Sequence, residues 1–437
     1  MTSLFERPIR RRWLAALLLP IWRLADWLLA KDSHCWAFSE HPFKPGQFVE
    51  NSRAVFEAIK SDPTIRKRVF TRNGSKLDLQ GSVNTEVVEL QSLAGLLALS
   101  RCGVIFLTHA IGMDLSWRWP CNGFSVVKPS LTRRLVINLW HGVPLKRLYA
   151  TANYEQRSRA DRVPFRRRER AYYAGLIASS DVDSYAMAAI FQPLAYDSIW
   201  VTGLPRSDFL AMEFDALPSF LGEAERRIGA MTRGRRLVVY APTFREHDFN
   251  GAACYRFSDA EIDALKALLA RHDAALGFRM HYFRKGDALF NMEDFLDGDR
   301  LIDLGHTAFP EMAPVLRAAD LLVTDYSSVF IDALYIDKPV FSFAYDLDNY
   351  RNQQNGLLYD MELVFPGPVV RDMPSLLEAL DAELLSPAQV GSERYRLCRQ
   401  FFFKYRDAAN ARRVLAEVTR RLPENRRVAS NAQQDHP

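Results

Sequence analysis

The chain has 437 residues, 48% of them hydrophobic and 25% charged, with a formal net charge of +5. This balance excludes a disordered chain, and so modest a positive excess gives no reason to expect nucleic acid as a partner. Five cysteines, odd in number and without a CxxC pair, argue against a structural zinc site or a disulfide framework and fit a reducing cytoplasm.

The chain opens with Arg7, Arg10, Arg11 and Arg12, then runs apolar from Trp13 to Ala30. A spanning helix needs about 20 cleanly apolar residues, and Pro20, Arg23 and Asp26 interrupt this one. The small-residue cleavage site of a signal peptide does not follow it. Residues 1–33 are expected to form an amphipathic, Arg-flanked helix lying in the membrane interface; a terminal helix packed on the protein's own core is the other reading. A second basic run holds Arg157, Arg159, Arg162, Arg166, Arg167, Arg168 and Arg170. It suits anionic headgroups or phosphates, or is a solvated face.

From residue 34 onward, short β-rich apolar runs alternate with helical patterns, as in parallel sheets with crossover helices. Over 34–214 the strand-like runs are His34–Phe38, Arg68–Thr71, Val104–Thr108, Leu135–Trp140, Leu176–Ser179 and Ile199–Thr202. Turn signals between Asp215 and Gly234 mark an interdomain connection. Over 215–422 the runs are Arg236–Ala241, Gly277–His281, Leu301–Asp303, Leu321–Thr324 and Val340–Phe343, and the chain reads as helical beyond Pro374. The polar tail 423–437 is expected to fray. The pattern predicts an α/β fold of two doubly wound halves facing a cleft, with ligands held outside the carboxyl ends of the strands.

Four strand ends carry reactive groups. Thr324-Asp325-Tyr326-Ser327-Ser328 follows an apolar strand and precedes the helix-like Val329–Tyr335. The serine hydroxyls and helix N–H groups there suit a diphosphate, although Ser and Asp also cap ordinary helices. Trp140-His141-Gly142-Val143-Pro144-Leu145-Lys146 places a histidine at a strand terminus, with Pro144 able to open a helix. A histidine there can take a hydroxyl proton near neutral pH, or be merely structural. Met280-His281-Tyr282 offers a second imidazole for a phosphoryl oxygen, and Ala241-Pro242-Thr243-Phe244-Arg245 offers a guanidinium fork. The turn Gly203-Leu204-Pro205-Arg206-Ser207-Asp208 reads chiefly as a domain-joining turn, with Arg206 able to face the cleft. A dense carboxylate cluster with magnesium-like spacing is lacking, so neither a metal nor another cofactor is expected.

In order and spacing, these segments resemble the CDP-glycerol:polyglycerophosphate glycerophosphotransferase family, the teichoic-acid primases and polymerases and their capsule relatives. The segments are WHGVPLK (140–146), GLPRSD (203–208), APTFR (241–245), MHYF (280–283), TDYSSVFID (324–332) and KPVFSFAYDLDNYR (338–351). The resemblance implies a GT-B-like pair of Rossmann-type domains, acceptor-side over 34–214 and CDP-donor-binding over 215–422. It implies His141 as base and His281 as stabiliser of the donor pyrophosphate, the two meeting across the cleft. Thr243, Arg245, Asp325, Ser327 and Ser328 would bind donor phosphate or nucleotide, with Gly142, Lys146, Arg206 and Asp332 in support. The departures are Val143 for Thr, Tyr282 for Pro and Phe244 for Trp; they leave glycerol phosphate and ribitol phosphate unseparated. The implied partners are a CDP-polyol, a lipid-linked glycan acceptor and the cytoplasmic membrane surface, with CMP released. A GT-B glycosyltransferase using a nucleotide sugar shares the fold and is the alternative; a non-catalytic scaffold binding anionic glycan is a further one.

Overall fold

The computed structural model describes residues 8–72, 74–118, 125–127, 129–152, 163–243, 255–279, 292–348 and 356–422, with only the backbone for 8–16, 118, 125–127 and 163–166. In chain order the first part holds strands β1 (Asp32–Ser39), β2 (Arg66–Thr71), β3 (Thr85–Glu89), β4 (Cys102–Leu107), β5 (Trp117–Arg118), β6 (Ser125–Val127), β7 (Leu135–Asn138), β8 (Tyr173–Ala178) and β9 (Ile199–Val201). The second holds β10 (Arg236–Tyr240), β11 (Ala274–Phe278), β12 (Leu301–Asp303), β13 (Leu321–Thr324), β14 (Val340–Phe343) and β15 (Val369–Val370).

Two parallel-sheet α/β domains result. The first sheet has seven strands in the order β3-β2-β1-β4-β7-β8-β9, the second six in the order β12-β11-β10-β13-β14-β15. Every pairing within them is parallel, whereas the separate β5–β6 pair is antiparallel. The central strands β4, β11 and β13 are buried at every position. Strands covered by helices on both faces need such unbroken apolar runs. Strand order reverses between β1 and β4 in the first sheet and between β10 and β13 in the second. Those reversals are the switch points where such sheets open a crevice for ligands.

Several local expectations are corrected. The stretch read as a turn-rich connection contains a helix, Ser219–Thr232, which buries Leu221, Ile228 and Thr232 despite its internal glycines. No helix opens at Pro144; the chain runs on so that Lys146 bridges to Leu357 of the second domain, with Leu358 N–H donating to Leu145 O. Strand β11 begins at Ala274, three residues earlier than predicted, and ends at Phe278. The last helix, Asn410–Arg421, packs back on helix Glu50–Ile59 and the Pro205–Ser207 turn of the first domain. Asp208 caps it, accepting the N–H groups of Asn410 and Ala411, each at 2.8 Å. Gly203 has φ +78°, and a Cβ on it would lie 2.0 Å from Asn410 Oδ1, so this docking requires glycine.

The opening helix, Pro8–Leu28, packs one face on the first domain and leaves the other exposed. Asp26 is fully buried and ion-paired with Arg134 and Lys31, and Leu18 and Trp22 pack on Leu96. The opposite stripe, Leu17, Ile21, Leu24 and Leu28, is exposed together with Trp27. Among the described residues, no helix is long and apolar enough to cross a membrane.

Candidate active site

Three histidines stand just past the ends of three adjacent strands: His41 after β1, His109 after β4 and His141 after β7. The His109 and His141 rings stack at 4.5 Å and 17°, and His41 meets His109 edge-on at 5.2 Å. Asp114, fully buried, shapes the turn beneath them: its Oδ2 accepts the N–H groups of Thr108 and His109, both at 2.8 Å. The Thr108 carbonyl then lies 3.3 Å from His141 Nδ1. A carbonyl only accepts, so the His141 proton sits on Nδ1 and the Nε2 lone pair is left for chemistry. His41 is fixed the other way: its Nδ1 accepts the Phe43 N–H, and its Nε2 lies 3.7 Å from Glu50. Among the described residues, no group of three ligating side chains has a geometry that would hold a metal ion.

Burial, then the neighbouring His109 and Arg206, push the His141 imidazole down to about 3, against the upward pull of Glu50 and the Thr108 carbonyl. The ring is therefore neutral across the physiological range. Gly142 beside it has φ +149°, and a Cβ there would sit 3.0 Å from Arg206 Nη2. Glycine is what lets that guanidinium approach the turn. Val143 is buried in the core.

The second sheet presents a different edge. Asp325 Oδ1 accepts the Thr243 N–H at 2.9 Å, the Thr243 hydroxyl and the Tyr326 N–H, tying the β10 and β13 strand ends together. The expected phosphate ligands Thr243 and Asp325 are thus bound to each other, whereas Ser327 and Ser328 are half-buried just ahead of the short helix Val329–Tyr335. His281 and Arg245 lie outside the described residues, so the expected meeting of two histidines across the cleft falls there too. Arg279, two positions before His281, lines a cavity of about 60 Å³ with Lys44, Glu50, Arg206, Glu311 and Asp332.

That cavity joins the domains. Arg206 donates to His141 O at 2.9 Å and to both Asp332 oxygens at 2.9 and 2.7 Å. Asn51, fully buried, accepts the Arg206 N–H and donates to Leu139 O and Trp140 O, locking that turn to the end of β7. Glu50 N–H donates to Glu311 Oε1 at 2.8 Å. Burial, then the Glu50 charge, push Glu311 up to about 7. Burial alone would raise Glu50 as well, but Lys44, His41 and Arg206 outweigh it and hold Glu50 well below the usual range.

Of the second arginine run, Arg157, Arg159 and Arg162 and the side chain of Arg166 lie outside the described residues. Arg167 and Arg168 are exposed, while Arg170 is buried against Tyr149 and Phe191 at 4.6 and 5.0 Å. His41, His109, Asp114, Asn51, Glu50 and Glu311 were missed by the sequence reading. For the two histidines a signal existed: His109 directly follows a predicted strand and His41 lies three positions past another. The other four declare themselves only through contacts between distant segments.

The chain matches the CDP-glycerol:poly(glycerophosphate) glycerophosphotransferase family over residues 27–420. It is 25% identical over 360 residues to a teichoic acid poly(glycerol phosphate) polymerase of Bacillus subtilis, covering 81% of this chain and 44% of that one. Against a teichoic acid ribitol-phosphate primase of Bacillus spizizenii it is 25% identical over 378 residues, covering 85% and 88%. In fold it is similar to the wall teichoic acid polymerase TagF, with a TM-score of 0.73, 21% identity, and 95% and 94% of the two chains covered. The site is thus set in two parallel-sheet domains spanned by that match, and the chain belongs to the CDP-glycerol:poly(glycerophosphate) glycerophosphotransferase family.

Proposed function

We propose that this protein transfers glycerol phosphate or ribitol phosphate from a CDP-polyol to a hydroxyl of a lipid-linked or polymeric glycan, releasing CMP. The acceptor oxygen attacks the β-phosphorus, the bond from that phosphorus to the bridging oxygen breaks, and the electron pair leaves on CMP. His141 Nε2 takes the acceptor proton. The observation that carries this assignment is the Nδ1–carbonyl contact with Thr108, which turns the ring's lone pair into the acceptor at the end of β7. An imidazole held near 3 is a weak base; a diphosphate beside it adds negative charge, which favours the imidazolium and draws its proton affinity upward.

In this reading His281 and Arg245 stabilise the donor pyrophosphate with Ser327 and Ser328, while Asp325, holding both Thr243 donors, ties the two strand ends together. Residues 34–214 serve the acceptor side and 215–422 the CDP side. The exposed stripe Leu17, Ile21, Leu24 and Leu28 recurs at helical spacing, and with Leu93 and Leu97 nearby it supports docking to the cytoplasmic leaflet. Sedimentation with anionic vesicles tests that part: Leu24→Asp is expected to weaken binding without lowering thermal stability, and unchanged binding would remove the helix from the account.

The donor is tested by incubating purified protein with CDP-glycerol, CDP-ribitol and UDP-sugars beside a short lipid-linked acceptor. CMP release with a product heavier by one polyol phosphate supports the reading. UDP release with a glycosylated product overturns it.

A further inference from the structure

We infer that His109, fixed by Asp114, is a positioning residue for His141: its ring lies flat against the His141 imidazole and, through the shared Thr108 turn, sets both the aim and the proton affinity of that base. The inference rests on the reading of His141 given above. It concerns a residue outside the motif WHGVPLK and a carboxylate from a separate turn.

Thr108 touches every partner. Its N–H donates to Asp114 Oδ2 at 2.8 Å, and its hydroxyl lies 3.3 Å from Asp114 Oδ1 and 3.0 Å from His109 Nδ1. Its carbonyl receives His141 Nδ1. One buried carboxylate therefore orients the turn that orients both rings. The chain from a carboxylate through a hydrogen-bonded turn to the imidazole Nδ1 is what fixes a histidine tautomer.

Stacking supplies the second constraint. At 4.5 Å and 17°, the His109 ring covers one face of His141, and Trp140 flanks it at 3.9 Å between centroids. The imidazole then cannot rotate out of plane without losing both contacts. A misplacement on the order of 1 Å at a reacting group is enough to cost about a hundredfold in rate.

Charge supplies the third. His141 is faced by His109, Glu50 and Arg206, and His109 by Asp114 and His41, with Lys44 behind on Glu50. His109 opposes a proton on His141, so its removal shifts the affinity of His141 for that proton upward.

The test compares His109→Ala, His109→Phe and His141→Ala as folded, purified full-length proteins, following CMP release from CDP-glycerol across pH. His109→Ala is expected to lower kcat roughly 10–100-fold with little change in KM for CDP-glycerol. His109→Phe, which restores a flat ring, is expected to recover most of that loss and to move the acid limb of the profile to higher pH. Two results would overturn the inference and leave the proposed function standing: both His109 variants at the wild-type rate with an unmoved limb while His141→Ala is inactive, or an equal loss in both with an unmoved limb. Wild-type activity in His141→Ala would remove the assignment of the base and the inference together.

Discussion

The two switch points of this molecule are built alike and equipped differently. At the first, Asp114 gathers two backbone N–H groups and the edge above it carries three imidazoles. At the second, Asp325 also gathers two backbone N–H groups together with the Thr243 hydroxyl, and the edge above it carries the hydroxyls of Ser327 and Ser328. The topology supplies a place where strand ends diverge, and the residues at those ends equip one place with imidazoles and the other with hydroxyls. Between the two edges stand Arg206 with Asp332, and Glu50 with Glu311.

The largest expected effect falls on that connection. Arg206→Ala leaves Asp332 buried without its cation and removes a donor from the His141 carbonyl, so a loss of about 3–5 kcal/mol is expected in chemical denaturation. A double-mutant cycle with Asp332→Asn should recover much of it. Additivity of the two changes would mean that the pair does not join the edges.

Glu311→Gln sharpens the picture in the opposite direction. The glutamate, ordinarily near 4.5, is pushed up to about 7 in the folded protein, so the native state binds more protons than the unfolded one between those values. Wild-type stability should fall as pH rises through that window and stay low above it. Glutamine can still accept the Glu50 N–H and carries no charge. Its expected gain is up to roughly 3 kcal/mol at pH 8, fading below pH 5; a pH-independent gain would contradict the assignment.

A smaller pair of substitutions tests the likeness of the two edges directly. Asp114→Ala and Asp325→Ala each orphan two backbone donors and should each cost about 1–3 kcal/mol in thermal unfolding. Only Asp114→Ala should also move the acid limb of the rate profile, because only that carboxylate lies beneath titratable rings. A shifted limb in Asp325→Ala would break the distinction between the edges.

Much of the architecture was legible in the sequence because its strands are buried on both faces. Runs such as Leu321–Thr324 and Val340–Phe343 announce themselves without periodicity, and the helix Val329–Tyr335 follows its strand where expected. Helix Ser219–Thr232 was hidden by Pro218, Gly222 and Gly229, whose local preference was overridden by burial of Leu221 and Ile228. Of the candidate site, His141, Gly142, Arg206 and Asp332 stand out in the sequence as parts of short motifs. The histidine stack was not, since His41, His109 and His141 come from separate strands that only the sheet order makes neighbours. The same limit hid Asp208, which reads as part of a turn and caps a helix that begins at Asn410.

The role of His141 is read most directly from CMP release by folded His141→Ala with CDP-glycerol and CDP-ribitol in the presence of a lipid-linked acceptor. A fall on the order of 10²–10⁴-fold, with thermal stability retained, is the expected result for loss of the base. Turnover near the wild-type rate would contradict it.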